Sequence, residues 1–194
     1  MADGTNNDTP RISGLEALLR GQTGVGPAPV DRWNPPYCGD IGLEIRRDGT
    51  WLYQNSPIGR KPLVQLFARV LRKDADGRTY LVTPAEKVDV KVVDAPFLAV
   101  EMEIRDPGPH QQLVFRTNVD DIVTCDAEHP LRFETEPGSG GLKPYLRVRG
   151  RLDALMTRAL YQDLVAAAVP AGTDEQLGVW SSGVFFTIAA HSVL

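Results

Sequence analysis

The chain has 194 residues, of which 42% are hydrophobic and 24% are charged, and its formal net charge is -4 at pH 7. This hydrophobic share is enough to build a core by burial alone. The negative charge opposes non-specific binding to nucleic acid, which needs a basic surface. No run of residues approaches the roughly 18 apolar positions of a membrane span, and the polar start lacks the features of a secretory signal. We therefore expect a cytoplasmic protein that has no membrane span and binds no nucleic acid.

Cysteine and histidine positions argue against a metal or disulfide framework. Cys38 and Cys125 lie far apart and lack Cys-x-x-Cys spacing, which fits a reducing compartment. His110, His129 and His191 are also widely separated, and none shows metal-ligand spacing. We predict no metal and no cofactor.

Residues 1–36 are predicted to form an N-terminal arm that is partly disordered. Its first residues are polar, and Ser13 can cap a short helix after them. The composition then shifts to glycine and proline up to Pro36, which suits an extended connection. Trp33 and Tyr37 are expected to anchor this connection, because bare linkers rarely carry large aromatic side chains.

The segment 37–106 predicts a first domain that begins with a β-hairpin. Asp48 and Gly49 form a strong hairpin signal, because runs of alternating hydrophobicity flank them. Pro62 suits the first turn of a helix, and apolar residues recur after it at helical spacing as far as Leu71. Later alternating runs predict strands at residues 79–82, 88–92 and 98–104.

The prolines on either side of Gly108 interrupt both regular periods, so a second domain is predicted at 107–194. An apolar stripe from Leu152 to Leu164 predicts its helix, and residues 178–188 predict a closing strand pair or a bent strand. Short strands are also predicted at residues 111–116, 122–125, 131–134 and 145–149.

Both halves show the order of strands, helix and strands. We therefore predict an α+β protein of two packed units, each a mostly antiparallel sheet with one principal helix. The repeated order suggests a structural duplication. Because the identity between the halves is slight, chance similarity of two β-α-β patterns is the alternative.

An enzymatic reading depends on residues that folding would have to bring together. Asn118, Asp120, Cys125 and His129 would serve a hydrolase or transferase if they converged. The alternative for Asn118 and Asp120 is a turn, where such side chains bond to nearby backbone groups. Ser181 lacks the Gly-x-Ser-x-Gly setting of a nucleophile elbow, and the chain has no Walker or Rossmann glycine pattern. We therefore favour a non-catalytic module.

Arginines precede both predicted helices. Arg60 and Lys61 come directly before the first. Arg147, Arg149 and Arg151 come before the second, with Arg147 and Arg149 on one strand face. Helix N-termini offer free N–H groups and a positive dipole end, so this placement suits an anion or phosphate site. The alternative is that these arginines are solvated and paired with acidic surface residues.

Six short patterns, taken together, resemble a bacterial family of unknown function. They are Ile-x-x-Asp48-Gly-Thr-Trp51, Ile58-x-Arg60, Leu-Val-Thr83-Pro-x-Glu86-Lys, Val-x-Asp94-Ala-Pro96-Phe97, Thr117-Asn118-x-Asp120 and Pro144-Tyr145-Leu-x-Val-Arg149. The resemblance covers the chain from about Trp33 to its C-terminus. It implies a duplicated core, a C-terminal domain similar to pleckstrin-homology folds, and a cleft between domains that binds a nucleotide-like ligand in signalling.

The resemblance also supplies candidate residues for the cleft or the domain interface. They are Arg60, Thr83, Glu86, Asp94, Phe97, Asn118, Arg147, Arg149 and Ser181. We accordingly predict a ligand-binding or signalling protein that holds a small anionic, nucleotide-like molecule and acts with a signalling partner protein. The leading contacts are Arg60, Arg147 and Arg149, and the residues predicted to stack a base are Trp51, Phe97 or Trp180.

Overall fold

The computed structural model of the chain describes residues 14, 17, 26–108, 110–171 and 176–190. Most of the predicted N-terminal arm lies outside these residues, as does the predicted helix after Ser13, apart from Gly14 and Ala17, which are helical. Within the described ranges, no helix is long and apolar enough to cross a membrane.

The chain divides into two compact units. The first comprises Met1–Glu44 and Trp51–Lys91, and the second comprises Ile45–Thr50 and Val92–Leu194. Each unit is built on a six-stranded sheet and carries one α-helix among the residues described from Gly26 onward. The predicted α+β class, with mostly antiparallel sheets and one principal helix in each unit, is therefore confirmed.

The first unit contains a sheet with the strand order β3-β2-β1-β6-β5-β4. Its elements are β1 (Tyr37–Ile45), β2 (Trp51–Tyr53), β3 (Ser56–Pro57), α1 (Lys61–Ala68), β4 (Leu71–Lys73), β5 (Thr79–Val82) and β6 (Lys87–Val92). Helix α1 buries Leu63 and Phe67, and the Phe67 ring lies 6.3 Å from the indole of Trp51. This contact anchors the helix in the core of the unit.

The second unit contains a six-stranded sheet of order β10-β11-β12-β7-β8-β9 and a three-stranded sheet of order β13-β14-β15. Its elements are β7 (Phe97–Arg105), β8 (Gln112–Thr117), β9 (Ile122–Thr124), β10 (Leu131–Thr135), β11 (Leu142–Arg149), β12 (Leu152–Met156), α2 (Arg158–Ala166), β13 (Val169–Ala171), β14 (Gln176–Ser181) and β15 (Val184–Ala190). Strands β12 and β7 run parallel, whereas the other neighbouring strands of the six-stranded sheet pair antiparallel. The proline-rich segment around Gly108 links β7 to β8, and the division between the units lies N-terminal to it.

The start of the second helix was predicted wrongly. Residues Leu152–Met156 form β12, in which alternate side chains are buried, and α2 begins only at Arg158. Thr157 is the N-cap, and its hydroxyl accepts a hydrogen bond from the backbone N–H of Leu160. Leucine, alanine and methionine suit a helix as well as a buried strand, so this short apolar run did not decide between them.

Because α2 begins only at Arg158, the arginines predicted to precede it lie further from its start. Arg147 and Arg149 lie on β11, and β12 separates them from α2. The prediction that they stand at a helix N-terminus is therefore wrong. Arg60, in contrast, is the N-cap residue of α1, as its position before Pro62 indicated.

Candidate functional site

A network of charged side chains and one tyrosine lies along β10, β11 and β12 in the second unit. We call it the β11 network. It is formed by Arg47, Asp94, Arg132, Lys143, Tyr145, Arg147 and Asp153, with Glu134 and Glu136 at its rim. Strand pairing sets Arg132 opposite Tyr145 and Arg147 opposite Asp153, so their side chains share one region of the sheet.

One end of the network is organised around Asp94, whose side chain is only 8% exposed. Its carboxylate accepts hydrogen bonds from Lys143 Nζ at 2.6 Å and from the Tyr145 hydroxyl at 2.7 Å. Arg47 Nε lies 3.2 Å from the same carboxylate. Burial by itself would raise the pKa of Asp94, but these hydrogen bonds and the two positive charges lower it below 3.8. The carboxylate is therefore ionised at neutral pH and holds Arg47 and Lys143 in place.

The other end is organised around Asp153, whose side chain is 15% exposed. Arg132 Nη2 donates to it at 2.9 Å, and Arg147 Nε donates to its second oxygen. The Arg132 guanidinium also lies 4.6 Å from the centroid of the Tyr145 ring, a cation–π distance. Tyr145 thus joins the two ends, with its hydroxyl on Asp94 and its ring beside Arg132.

The rim glutamates are held less firmly than the two aspartates. Glu136 lies 3.4 Å from Arg47 Nη1, and Glu134 pairs with Arg132. The Glu134 side chain is 54% exposed and that of Arg47 is 58% exposed. Exposed pairs of this kind contribute only ~0–1 kcal/mol. Four cationic groups therefore surround two largely buried carboxylates, and weakly held glutamates supply the remaining negative charge. An incoming anion can compete with those glutamates.

The candidate residues of the first unit have contacts of their own. Arg60 is exposed, and its carbonyl accepts a hydrogen bond from the N–H of Leu63 in the first turn of α1. Thr83 is fully buried, and its hydroxyl accepts from the N–H of Ala85 and of Glu86, at 3.2 and 3.1 Å. Thr83 and Glu86 therefore close a turn before β6.

Asn118 and Ser181 bond to backbone groups. The Asn118 side-chain oxygen accepts a hydrogen bond from the backbone N–H of Leu98 at 3.0 Å. The backbone N–H of Asn118 donates to the Leu98 carbonyl at 2.9 Å. Ser181 is fully buried, accepts from Leu113 N–H at 2.9 Å and donates to the Cys125 carbonyl at 2.6 Å. Ser181 thereby ties the three-stranded sheet to β8 and the residue after β9.

Arg149, Phe97 and Trp51 are largely or fully buried, whereas Trp180 is exposed. The Arg149 guanidinium lies 5.0 Å from the Phe97 ring centroid and donates to Asp121 at 2.7 Å. Phe97 and Trp51 are 0% and 2% exposed, so neither ring offers a face to a base in this conformation. Trp180 is 47% exposed and packs on Phe185 at 5.2 Å.

The residues of the enzymatic alternative are engaged separately. Cys125 is fully buried, and burial raises the pKa of its thiol to about 12, which removes it as a nucleophile at neutral pH. His129 Nδ1 pairs with Asp126 at 3.1 Å, and Asp120 pairs with Arg116 at 2.9 Å. Among the described residues, no group of three or more His, Cys, Asp or Glu side chains could hold a metal ion.

Sequence reasoning singled out Asp94 and Arg147 of the β11 network and missed the others. Alternation along β10 and β11 was the usable signal, because Arg132 and Glu134 are two apart, as are Lys143, Tyr145 and Arg147. Arg47 gave no such signal, since it lies in the hairpin turn.

Two family models match the chain over almost all of its described length. Residues 28–95 match the DUF1285 N-terminal domain, a domain of unknown function, and residues 96–188 match the C-terminal domain of the DUF1285 proteins of unknown function. No curated protein matches the chain.

Two solved structures are similar to the chain. A DUF1285 family protein from Silicibacter pomeroyi DSS-3 is 42% identical, with a TM-score of 0.84, over 92% of this chain and 96% of that one. A DUF1285 family protein from Shewanella baltica OS155 is 26% identical, with a TM-score of 0.52, over 65% of this chain and 91% of that one. The resemblance to a family of unknown function is thereby confirmed, whereas the pleckstrin-homology-like fold stays a prediction.

Proposed function

Because the chain belongs to the DUF1285 family of unknown function, we propose a function from its own chemistry: it is a non-catalytic ligand-binding protein that takes a small anionic, nucleotide-like molecule and acts in signal transduction. The phosphate contacts come from the β11 network. In signalling, a partner protein recognises the ligand-bound form of the chain.

The single observation that carries the proposal is the set of cations held around two largely buried carboxylates. Asp94 orients Lys143 and Arg47, while Asp153 orients Arg132 and Arg147. Side chains that are already positioned lose less conformational freedom when a ligand binds. Arginine and lysine are also the groups that bind phosphate by charge-assisted hydrogen bonds.

Arg147 is the predicted contact that the network supports best, because it is about one-third exposed and is held by Asp153. Arg60 and Arg149 stay predictions. Arg149 is less accessible, with 18% of its side chain exposed. The hydrolase or transferase alternative would need Cys125 as a thiolate, which its burial disfavours.

Thermal unfolding in the presence of a panel of nucleotides tests the proposal. A ligand at ~100 times its dissociation constant adds about 2.7 kcal/mol to the free energy of unfolding, which raises the Tm of a chain of this size by about 5–10 °C. Arg147→Gln is expected to weaken binding by ~1.5–3 kcal/mol, the range for hydrogen bonds to charged groups.

Arg105→Gln is the matched control, because Arg105 is 51% exposed and pairs with Glu103 on β7. It removes the same charge and should leave the ligand-dependent Tm shift unchanged. The proposal fails if no nucleotide shifts the Tm, or if the two variants lose the shift equally.

A further inference from the structure

Resting on the proposed function, we infer that the group bound by Arg47 and Lys143 is a dianionic phosphate, and that Glu136 is an internal competitor for it. Glu136 pairs with Arg47 Nη1, and the phosphate displaces it. The affinity of the protein is therefore set partly by a side chain that does not touch the ligand.

The charge balance around Asp94 leaves room for a second anion. Arg47 and Lys143 contribute two positive charges, and Asp94 supplies one negative charge from its buried position. The remaining positive charge is met by Glu136 across 3.4 Å, a long contact for an arginine and a carboxylate. Because more than half of the Arg47 side chain is exposed, another anion can reach it from solvent.

The loop of residues 136–141 presents the Glu136 carboxylate. Its backbone closes through hydrogen bonds from Glu136 N–H to the Gly141 carbonyl at 2.7 Å and from Gly140 N–H to the Glu136 carbonyl at 3.1 Å. The Ser139 hydroxyl donates to Glu136 Oε2 at 3.0 Å, while Oε1 faces Arg47. The carboxylate is thus held at the arginine by a short local turn.

A phosphate dianion is the better partner for this pair of cations. It carries a second negative charge and three acceptor oxygens, so it can bond a guanidinium with two oxygens and an ammonium with the third. Glu136 carries one charge, shares one oxygen with Ser139 and makes only the long contact to Arg47. When the phosphate replaces Glu136, only the weak pair between Arg47 and Glu136 is lost. The contacts of Asp94 with Lys143 and Arg47 stay in place.

Calorimetric titration with adenosine 5′-monophosphate and with adenosine tests the inference. Wild-type protein is expected to bind the monophosphate more tightly than the nucleoside. Glu136→Gln should tighten monophosphate binding by about two- to fivefold, the range that corresponds to an exposed ion pair. Arg47→Gln should abolish this gain when combined with Glu136→Gln.

Glu103→Gln is the matched control, since Glu103 is an exposed glutamate paired with Arg105 and its replacement changes the net charge equally. Equal gains from Glu103→Gln and Glu136→Gln would overturn the competitor role, because they would reflect net charge alone. Equal binding of adenosine and its monophosphate would overturn the phosphate assignment while leaving nucleotide-like binding intact. Absence of binding by either compound, together with a flat thermal panel, would overturn the proposed function itself.

Discussion

The hydroxyl of Tyr145 donates a 2.7 Å hydrogen bond to the mostly buried carboxylate of Asp94, although 51 positions separate the two residues. Burial and this contact raise the pKa of the Tyr145 phenol, while the pKa of Asp94 is lowered. Since the Tyr145 ring also lies beside the Arg132 guanidinium, one side chain connects both ends of the β11 network.

Tyr145→Phe is expected to lower the free energy of unfolding by ~1–3 kcal/mol, because it removes one donor from a buried, charged acceptor. The ring and its contact with Arg132 remain. Urea unfolding measures the effect. The control is Tyr161→Phe, which removes a hydroxyl that has no hydrogen-bond partner among the described residues. It keeps the ring that packs on Phe133. Equal losses in the two variants would show that the bond to Asp94 contributes little.

The ion pairs of Asp94 predict a definite dependence of stability on pH. Its pKa in the folded protein lies below its ordinary value of 3.8, so the unfolded chain binds more protons in that range. The stabilisation is complete above about pH 5 and is lost as the pH falls through the folded pKa. Asp94→Asn should be less stable than wild type at pH 7 and should lose less stability on going to pH 3. Parallel stability curves for the two proteins would contradict this account.

The two cysteines should differ strongly in their reaction with a thiol reagent. Cys38 is exposed, whereas Cys125 is buried and has a thiol pKa raised to about 12. Alkylation of native protein at pH 8, followed by peptide mass spectrometry, should modify Cys38 quickly and Cys125 only at the rate of unfolding. Fast alkylation of Cys125 would restore it as a candidate nucleophile.

Gly49 should tolerate substitution worse than a glycine of similar conformation elsewhere. A Cβ at Gly49 would lie 2.7 Å from Asn118 Nδ2, and the residue has a φ of +80°. Gly77 has a φ of +81°, but an added Cβ there meets no described atom within 4 Å beyond its chain neighbours. Both Ala variants are destabilised by a backbone strain of ~1 kcal/mol, because alanine must adopt a positive φ. Gly49→Ala should lose more stability in urea unfolding, and equal losses would rule out a role for the close approach.

The local parts of the fold could be predicted because short-range chemistry decides them. Asp48 accepts a hydrogen bond from Thr50 N–H, and Gly49 has positive φ, as the Asp-Gly signal requires. Pro62 lies in the first turn of α1, where its fixed φ suits the helix and a backbone N–H is not needed. The segment Leu152–Met156 could not be assigned locally, because it becomes a strand by pairing with β11 and with β7. The residues of the segment do not by themselves determine that pairing.

The candidate site could be predicted only in part, since long-range contacts assemble it. Asp94 meets Lys143 across 49 positions of sequence, and alternation does not reveal which carboxylate a strand cation will reach. Arg147 was singled out by its position, yet its actual partner is Asp153, on the neighbouring strand. Charge type was visible in the sequence, while the pairing depended on the strand order of the sheet.

The most direct test of the proposed function is to observe arginine side chains by NMR while a nucleotide is added. The Nε–Hε signals of Arg47, Arg132 and Arg147 are expected to shift together with one dissociation constant, because the β11 network holds all three. The signal of Arg105, which pairs with Glu103 away from the network, should stay in place. Unchanged signals from all three network arginines at saturating nucleotide, or shifts confined to Arg105, would contradict the account.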